Sequence, residues 1–421
     1  MTPLLYRVLR AQPGELPAVA WSFAYFFLLL CSYYILRPVR DALAVEVGTD
    51  ALQWLFTATF VTMLAIVPLF GWLCARLSRA KLLPAVYGFF TLNLIIFSLH
   101  MPPTVFFVWL SVFNLFVVSV FWSFMSDIFD TPQAARLYGA IAAGGSCGAI
   151  AGPLMAASLS IKMGHSGLLL LSAALLSLTI PCIAMLARWA RAHPRPDDAR
   201  PEAPLGGSIL AGVRAALSSP FLLAICGYLL CYTALSTALY FQQVAIVKEA
   251  VPDMAERTRL FASIDLTVNT LTLVLQIFAF SRLTALLGPG WLLALMPLVS
   301  IAGFLWLGAT PTLAALIAFG VTRRVGEFAI SKPAREALFT VVPREDRYKA
   351  KNFIDTVVYR GGDAASAWFF GILGASVAFA AAGISVAWTA IAFYLGARMK
   401  SWTRDDARSS PSLQPGRSGL S

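Results

Sequence analysis

The segment YYILRPVRDALAV, Tyr33 to Val45, places Arg37, Arg40 and Asp41 at the end of an otherwise apolar stretch of membrane length. Charge there is costly and calls for an ion pair or a charged ligand. Arg37 and Asp41 stand four residues apart and Arg40 is adjacent on the same face. One salt bridge can therefore offset burial and leave a guanidinium free for a phosphate or carboxylate. The competing reading has both arginines at the interface, reaching out to water.

A second charged run extends from Thr322 to Trp368. Arg323 and Arg324 against Glu327, Lys332 against Glu336, and Asp355 against Tyr359 repeat helical spacings of three or four. Register puts Arg360 and Asp363 about two to three turns inside an apolar segment, where an ion pair or a substrate contact is expected. A third set, Asp265 and Asn269, shares one face of another apolar segment. Asp265 has three readings: a partner for Arg360, a site for a coupling proton, or half of a buried structural pair.

The elements that must position these groups are membrane helices. The 421-residue chain is 59% hydrophobic and 13% charged, with a mean hydropathy of +0.75, which is the composition of a polytopic membrane protein. Apolar segments near 17–38, 51–75, 82–100, 104–126, 137–161, 166–189, 220–246, 260–285, 290–308, 311–331, 350–374 and 377–397 give about twelve spans of roughly 20 residues. The stretch 221–241 is apolar on every side, which excludes the alternating pattern of a β-barrel. The first span is retained as a helix, because it ends in Arg-Pro-Val-Arg-Asp and not in a small-residue cleavage site.

The net charge of +11 is explained by topology and does not call for a nucleic-acid partner. With the amino terminus in the cytoplasm, most Lys and Arg residues fall on the cytoplasmic side, among them Arg76, Arg188, Arg191, Arg344, Arg347 and Arg398. Both termini are then cytoplasmic, in a bacterial-type inner membrane. Six cysteines lie in or beside apolar spans with no CxxC pair or nearby His pattern, so neither a disulfide nor a metal is expected. No Walker or HExxH motif occurs, and the chain is expected to need no cofactor and not to be an enzyme.

A polar, Pro-rich stretch at 191–208 separates residues 1–190 from 220–400, two bundles of six spans each. The linker, 191–219, ends in a short amphipathic segment, and 401–421 reads as a disordered cytoplasmic tail. Two six-span halves are the ground plan of major facilitator transporters, whose halves rock about a midplane site. GWLCARLSRAK (71–81) resembles the signature loop of that superfamily, with Ala75 and Ser78 replacing its usual Asp and Gly. In the fifth span, Gly144, Gly148, Gly152 and Pro153 resemble its Gly-Pro motif; tight packing or a sliding helix contact would both use such a stripe.

ILRPVRDALAV (35–45) resembles the first-helix motif of the ATP:ADP antiporters of plastids and obligate intracellular bacteria. Pro333, Arg335 and Glu336, then Lys349, Lys351, Ile354 and Asp355, resemble that family's later motifs, and VSVFWSFMSD (118–127) its fourth-helix segment. The resemblance implies nucleotide exchange, with Arg40 standing where the family has a functional Lys. It fails at Asp363, where the family has a Lys, which implies a drifted substrate.

The expected function is secondary-active transport of a small anionic solute, nucleotide-like by the resemblance, by a protein that works as a monomer in the lipid bilayer. Arg37, Arg40, Arg324, Arg360 and Asn269 are the expected substrate-binding residues. Asp41, Asp265, Glu327, Glu336, Asp355 and Asp363 are expected to pair with them or carry a proton. A proton-coupled exporter of another small molecule is the alternative.

Overall fold

The computed structural model describes residues 14–76, 79–193, 219–342 and 353–409, together with Gln12, Leu217 and Lys351. The side chains at 70–75 and 79–81, and that of Asp355, lie outside the description, as do most of the linker and residues 410–421. The signature-like loop, the amphipathic segment before span seven and the basic loop at 344–349 therefore lie largely or wholly outside the described residues.

The first half consists of α1 (Leu16–Val47), α2 (Leu52–Arg76), α3 (Arg79–Leu99), α4 (Pro103–Ile128), α5 (Thr131–Ser177) and α6 (Thr179–Ala192). The second consists of α7 (Pro220–Ala250), α8 (Met254–Phe278), α9 (Phe280–Ala309), α10 (Leu313–Gly326), α11 (Lys332–Leu338), α12 (Tyr359–Gly371) and α13 (Val377–Ser409). Helix α5 would be about 70 Å long if straight, more than twice a bilayer core. It is broken at Gly164, whose φ of 63° only glycine adopts readily, so its second part and α6 form the sixth span.

Among the described residues, nine segments are long and apolar enough to cross a membrane. One of them, Thr131–Ala192, contains two spans. The regions 313–338 and 354–371 fall short because they carry the charged run, and counting both restores twelve. The expected all-α fold of two six-helix bundles is what the chain forms. Helix α13 continues to Ser409, which corrects the expectation of an unstructured tail for residues 401–409.

Each bundle has its own apolar core. Tyr25, Tyr87, Phe113 and Phe121 are fully buried in the first, and Tyr228, Phe304, Phe370 and Trp388 in the second. The glycine stripe of α5 sits within the first bundle, directly on the backbone of α1. A Cβ at Gly152 would come within 2.6 Å of the Cys31 carbonyl oxygen. The two bundles meet along α1 with α8, α5 with α8, and α2 with α12. They are sealed at the Val47 end of α1, where Trp54 meets Trp368 edge-on at 4.9 Å and the Trp368 indole donates to Thr57 at 3.0 Å. Phe56 and Phe107 close on Tyr240 at 5.7 and 6.3 Å between ring centres.

Candidate substrate site between the bundles

Just beneath this aromatic seal, a cavity of about 170 Å³ is shared by the two bundles. Arg40 and Phe107 line it from the first bundle; Tyr240, Tyr359, Arg360 and Asp363 line it from the second. Arg40 donates twice to Asp41, at 2.7 and 3.0 Å, and lies over the Phe107 ring. The Tyr240 hydroxyl donates to the same Asp41 oxygen at 3.1 Å, so this carboxylate ties the bundles together. Arg360 faces Asp363 at 3.7 Å, the pairing that their register suggests, and stays one-third exposed in its side chain.

One helical turn from Arg40, Arg37 reaches across to α8 instead of pairing with Asp41. Its Nε lies 3.6 Å from Asp265, whose other oxygen accepts from Arg324 at 2.6 Å. The side chain of Asp265 is 2% exposed while those of its two arginines are 19% and 21% exposed. Of the three readings of Asp265, the one that pairs it with Arg360 is corrected: α8 packs on α1, α5 and α10, whereas α12 packs on α7 and α2. Arg37 and Arg40 do not simply reach out to the interface; each engages a carboxylate.

The expected pairing of Glu327 with Arg323 or Arg324 is also corrected. A π-turn, Glu327–Ser331, interrupts the α register at this residue. Glu327 accepts instead from Arg335 at 3.3 Å, inside the second bundle. Arg323 donates to the Tyr232 carbonyl and the Ser236 hydroxyl, at 3.2 and 3.1 Å. The guanidinium groups of Arg323 and Arg335 both lie over the Tyr232 ring, 5.4 and 5.7 Å from its centre. Burial of a charge is tolerable only with such partners.

Two further residues depart from expectation. The Asn269 amide donates to the Ala149 carbonyl of α5 at 2.6 Å, which places it in the seam between bundles and not on the cavity wall. Glu336 pairs with Lys351, not Lys332, and is 39% exposed, away from the cavity. The side chain of Asp355 lies outside the described residues.

Residues that the sequence did not single out complete the site. Tyr240 and Phe107 belong to apolar runs in which an aromatic residue carries no distinguishing signal, and only the approach of α4 and α7 gives them a role. In the charged set as a whole, the guanidinium groups of Arg37, Arg40, Arg323, Arg324, Arg335 and Arg360 stand against the carboxylates of Asp41, Asp265, Glu327 and Asp363. Six positive charges against four negative ones leave a surplus of two. The surplus sits around Asp265 and Glu327, off the cavity wall, whereas at the cavity Arg40 and Arg360 stand in balance with Asp41 and Asp363.

Comparisons with known proteins agree with the fold. The family model described as Major Facilitator Superfamily matches residues 22–249. A bacterial homologue of the human lysosomal transporter Spinster, solved inward-facing and unoccupied, superposes with a TM-score of 0.61 at 14% identity, covering 96% of this chain and 100% of that one. The nucleoside transporter NupG gives 0.62 at 12% identity over 91% and 99%. The POT family transporter PepTSo gives 0.59 at 12% over 95% and 99%. At such identities the likeness speaks for the fold alone. No curated protein matches the sequence.

Proposed function

Because the chain belongs to the Major Facilitator Superfamily, we propose that it is a secondary transporter that carries a small anionic solute by alternating access. The observation that carries this reading is the placing of Arg40 and Arg360, one from each bundle, on a single cavity between them. A guanidinium from each side lets one anionic group engage both halves, so binding couples to their relative motion. The distribution of Lys and Arg supports cytoplasmic termini and a bacterial-type inner membrane. The Val47 end of α1 is then external, and the sealed aromatic layer makes this an outward-closed arrangement.

The finer reading is exchange of nucleotides of the ATP and ADP type by a monomer. Its support is the resemblance of residues 35–45 and 333–355 to the ATP:ADP antiporters. A cavity of about 170 Å³ is smaller than the usual ligand pocket of roughly 300–1,000 Å³. It suits an anionic head such as one phosphate, with the rest of the cargo extending toward Arg37 and Arg324.

The decisive measurement is counterflow in proteoliposomes loaded with ATP, ADP or inorganic phosphate against labelled solute outside. Arg40→Ala is expected to abolish saturable exchange, and Arg40→Lys to retain part of it because the charge survives without the bidentate fork. Unchanged uptake in Arg40→Ala would sink the site; uptake only of uncharged solutes would sink the anion reading. Asp363, on the cavity wall and 3.7 Å from its arginine, favours a second reading, a proton-coupled exporter. Uptake that follows a pH gradient and ignores nucleotides would select it.

A further inference from the structure

A separate, strongly apolar groove of about 590 Å³ lies between α2 and α4, with α3 at its floor. Leu55, Ala58 and Thr62 form one wall, Val108 and Val112 the other, and Phe90 the floor. Of the side chains that line it, only two threonines and two tryptophans carry a heteroatom. It opens sideways, since Trp54, Phe89 and Val105 on its rim are 62%, 58% and 52% exposed. In a membrane helix bundle that side is hydrocarbon.

We propose that this groove is a lipid site that holds one acyl chain of a phospholipid from the leaflet at the Val47 end, and that the chain braces the closed seal. Water is excluded, because so few polar partners are available to it. From Leu55 to Ile66 the groove wall runs about 17 Å along α2, close to the depth of one leaflet of a hydrocarbon core about 30 Å thick. A single chain entering from that leaflet matches both length and chemistry.

The functional consequence comes from Trp54, which belongs to the groove and to the seal at once. Its ring packs edge-on to Trp368 of α12, and Thr57, one turn further, accepts from the Trp368 indole. Helix α2 is thus held between the groove and α12. Opening of the sealed end, required by the alternating-access reading on which this second clause rests, must separate α2 from α12. An acyl chain behind α2 removes the space into which its outer half can tilt, and so favours the closed state.

The test uses the full-length protein in vesicles doped with a phosphatidylglycerol whose acyl chain bears a photoactivatable diazirine. After illumination, cross-linked peptides are mapped by mass spectrometry. Several-fold enrichment in residues 51–66 and 104–112 over other lipid-facing positions, saturating with the labelled lipid, is expected. Ala58→Trp, which fills the groove, should remove that enrichment, whereas Val386→Trp on a distant exposed face should not. Labelling that is uniform over all spans, or that rises in simple proportion to lipid content, overturns the site even if Ala58→Trp fails to fold.

The bracing is read from spin labels at positions 53 and 369, across the seal. Short-chain lipids should raise the long-distance population several-fold over long-chain lipids, and equal populations would overturn the bracing. No separated population in any lipid, with the cross-links intact, would instead count against alternating access and leave the lipid site standing.

Discussion

Arg37 of the first bundle and Asp265 of the second approach to 3.6 Å across the boundary between the halves, while Arg324 holds the other oxygen of the same carboxylate at 2.6 Å. One buried carboxylate therefore answers to two arginines, one that moves with it and one that does not. Under the alternating-access proposal, the Arg37 contact is the one that breaks when the halves part.

That asymmetry predicts an order of coupling energies. Removing Asp265 leaves two guanidinium groups unpaired, and Asp265→Ala should lower stability by about 3 kcal/mol, the typical cost of breaking a buried pair. Double-mutant cycles by thermal unfolding in detergent should give a larger coupling for Arg324 with Asp265 than for Arg37 with Asp265. Equal couplings, or the reverse order, would mean that the shared carboxylate is not the joint described here.

Asp363 offers a test of the sign of the cargo's charge. It lies on the cavity wall beside Arg360 and repels an anion placed between Arg40 and Arg360. Asp363→Asn should therefore lower KM for an anionic solute by up to about tenfold, equivalent to roughly 1.4 kcal/mol. The proton-coupled reading expects the opposite, a loss of gradient-driven transport with no gain in affinity.

The charges themselves were legible in the sequence because a guanidinium inside an apolar span has few tolerable explanations. Arg37, Arg40, Arg324 and Arg360 do gather at the bundle boundary. Their partners were not legible. Spacing of three or four residues finds pairs on one helix, but Asp265 is met by residues from α1 and α10, and Glu327 by Arg335, eight residues on and across a π-turn that no local pattern announced. The polar amide of Asn269 gave no hint that it would be spent on the backbone of α5. Tandem apolar spans are recognised one by one, whereas neighbours are set by the packing of all twelve.

The glycine stripe of α5 makes a packing prediction with an internal control. A Cβ at Gly148 would meet the Phe27 carbonyl and the Cys31 amide, and one at Gly152 the Cys31 carbonyl, while one at Gly139 would meet nothing within 4 Å. Both Gly148→Ala and Gly152→Ala should destabilise the first bundle by about 1–3 kcal/mol, since backbone atoms cannot swing aside as a side chain would. Gly139→Ala should be neutral or stabilise by up to about 1 kcal/mol through helix propensity. Thermal unfolding of the three variants in detergent checks the contrast.

Outside the spans, Glu15 at the start of α1 binds the beginning of α5 and supplies a pH-dependent contact. Burial alone would raise its pKa. Hydrogen bonds from Arg136, from the Gln12 backbone and from Gln133 outweigh that effect and hold it below the ordinary value of 4.5. A carboxylate with a folded pKa lower than its unfolded one adds stability that is fully present above the unfolded value and is lost as pH falls through the folded one. The stability difference between the native protein and Glu15→Gln should therefore be flat above about pH 6 and shrink as pH is lowered past the carboxylate range. Arg136→Gln should flatten the same profile, because Glu15 then loses the donor that depresses it most. Parallel unfolding curves of native protein and Glu15→Gln from neutral to acid pH would show that this link between α1 and α5 carries no ionic component.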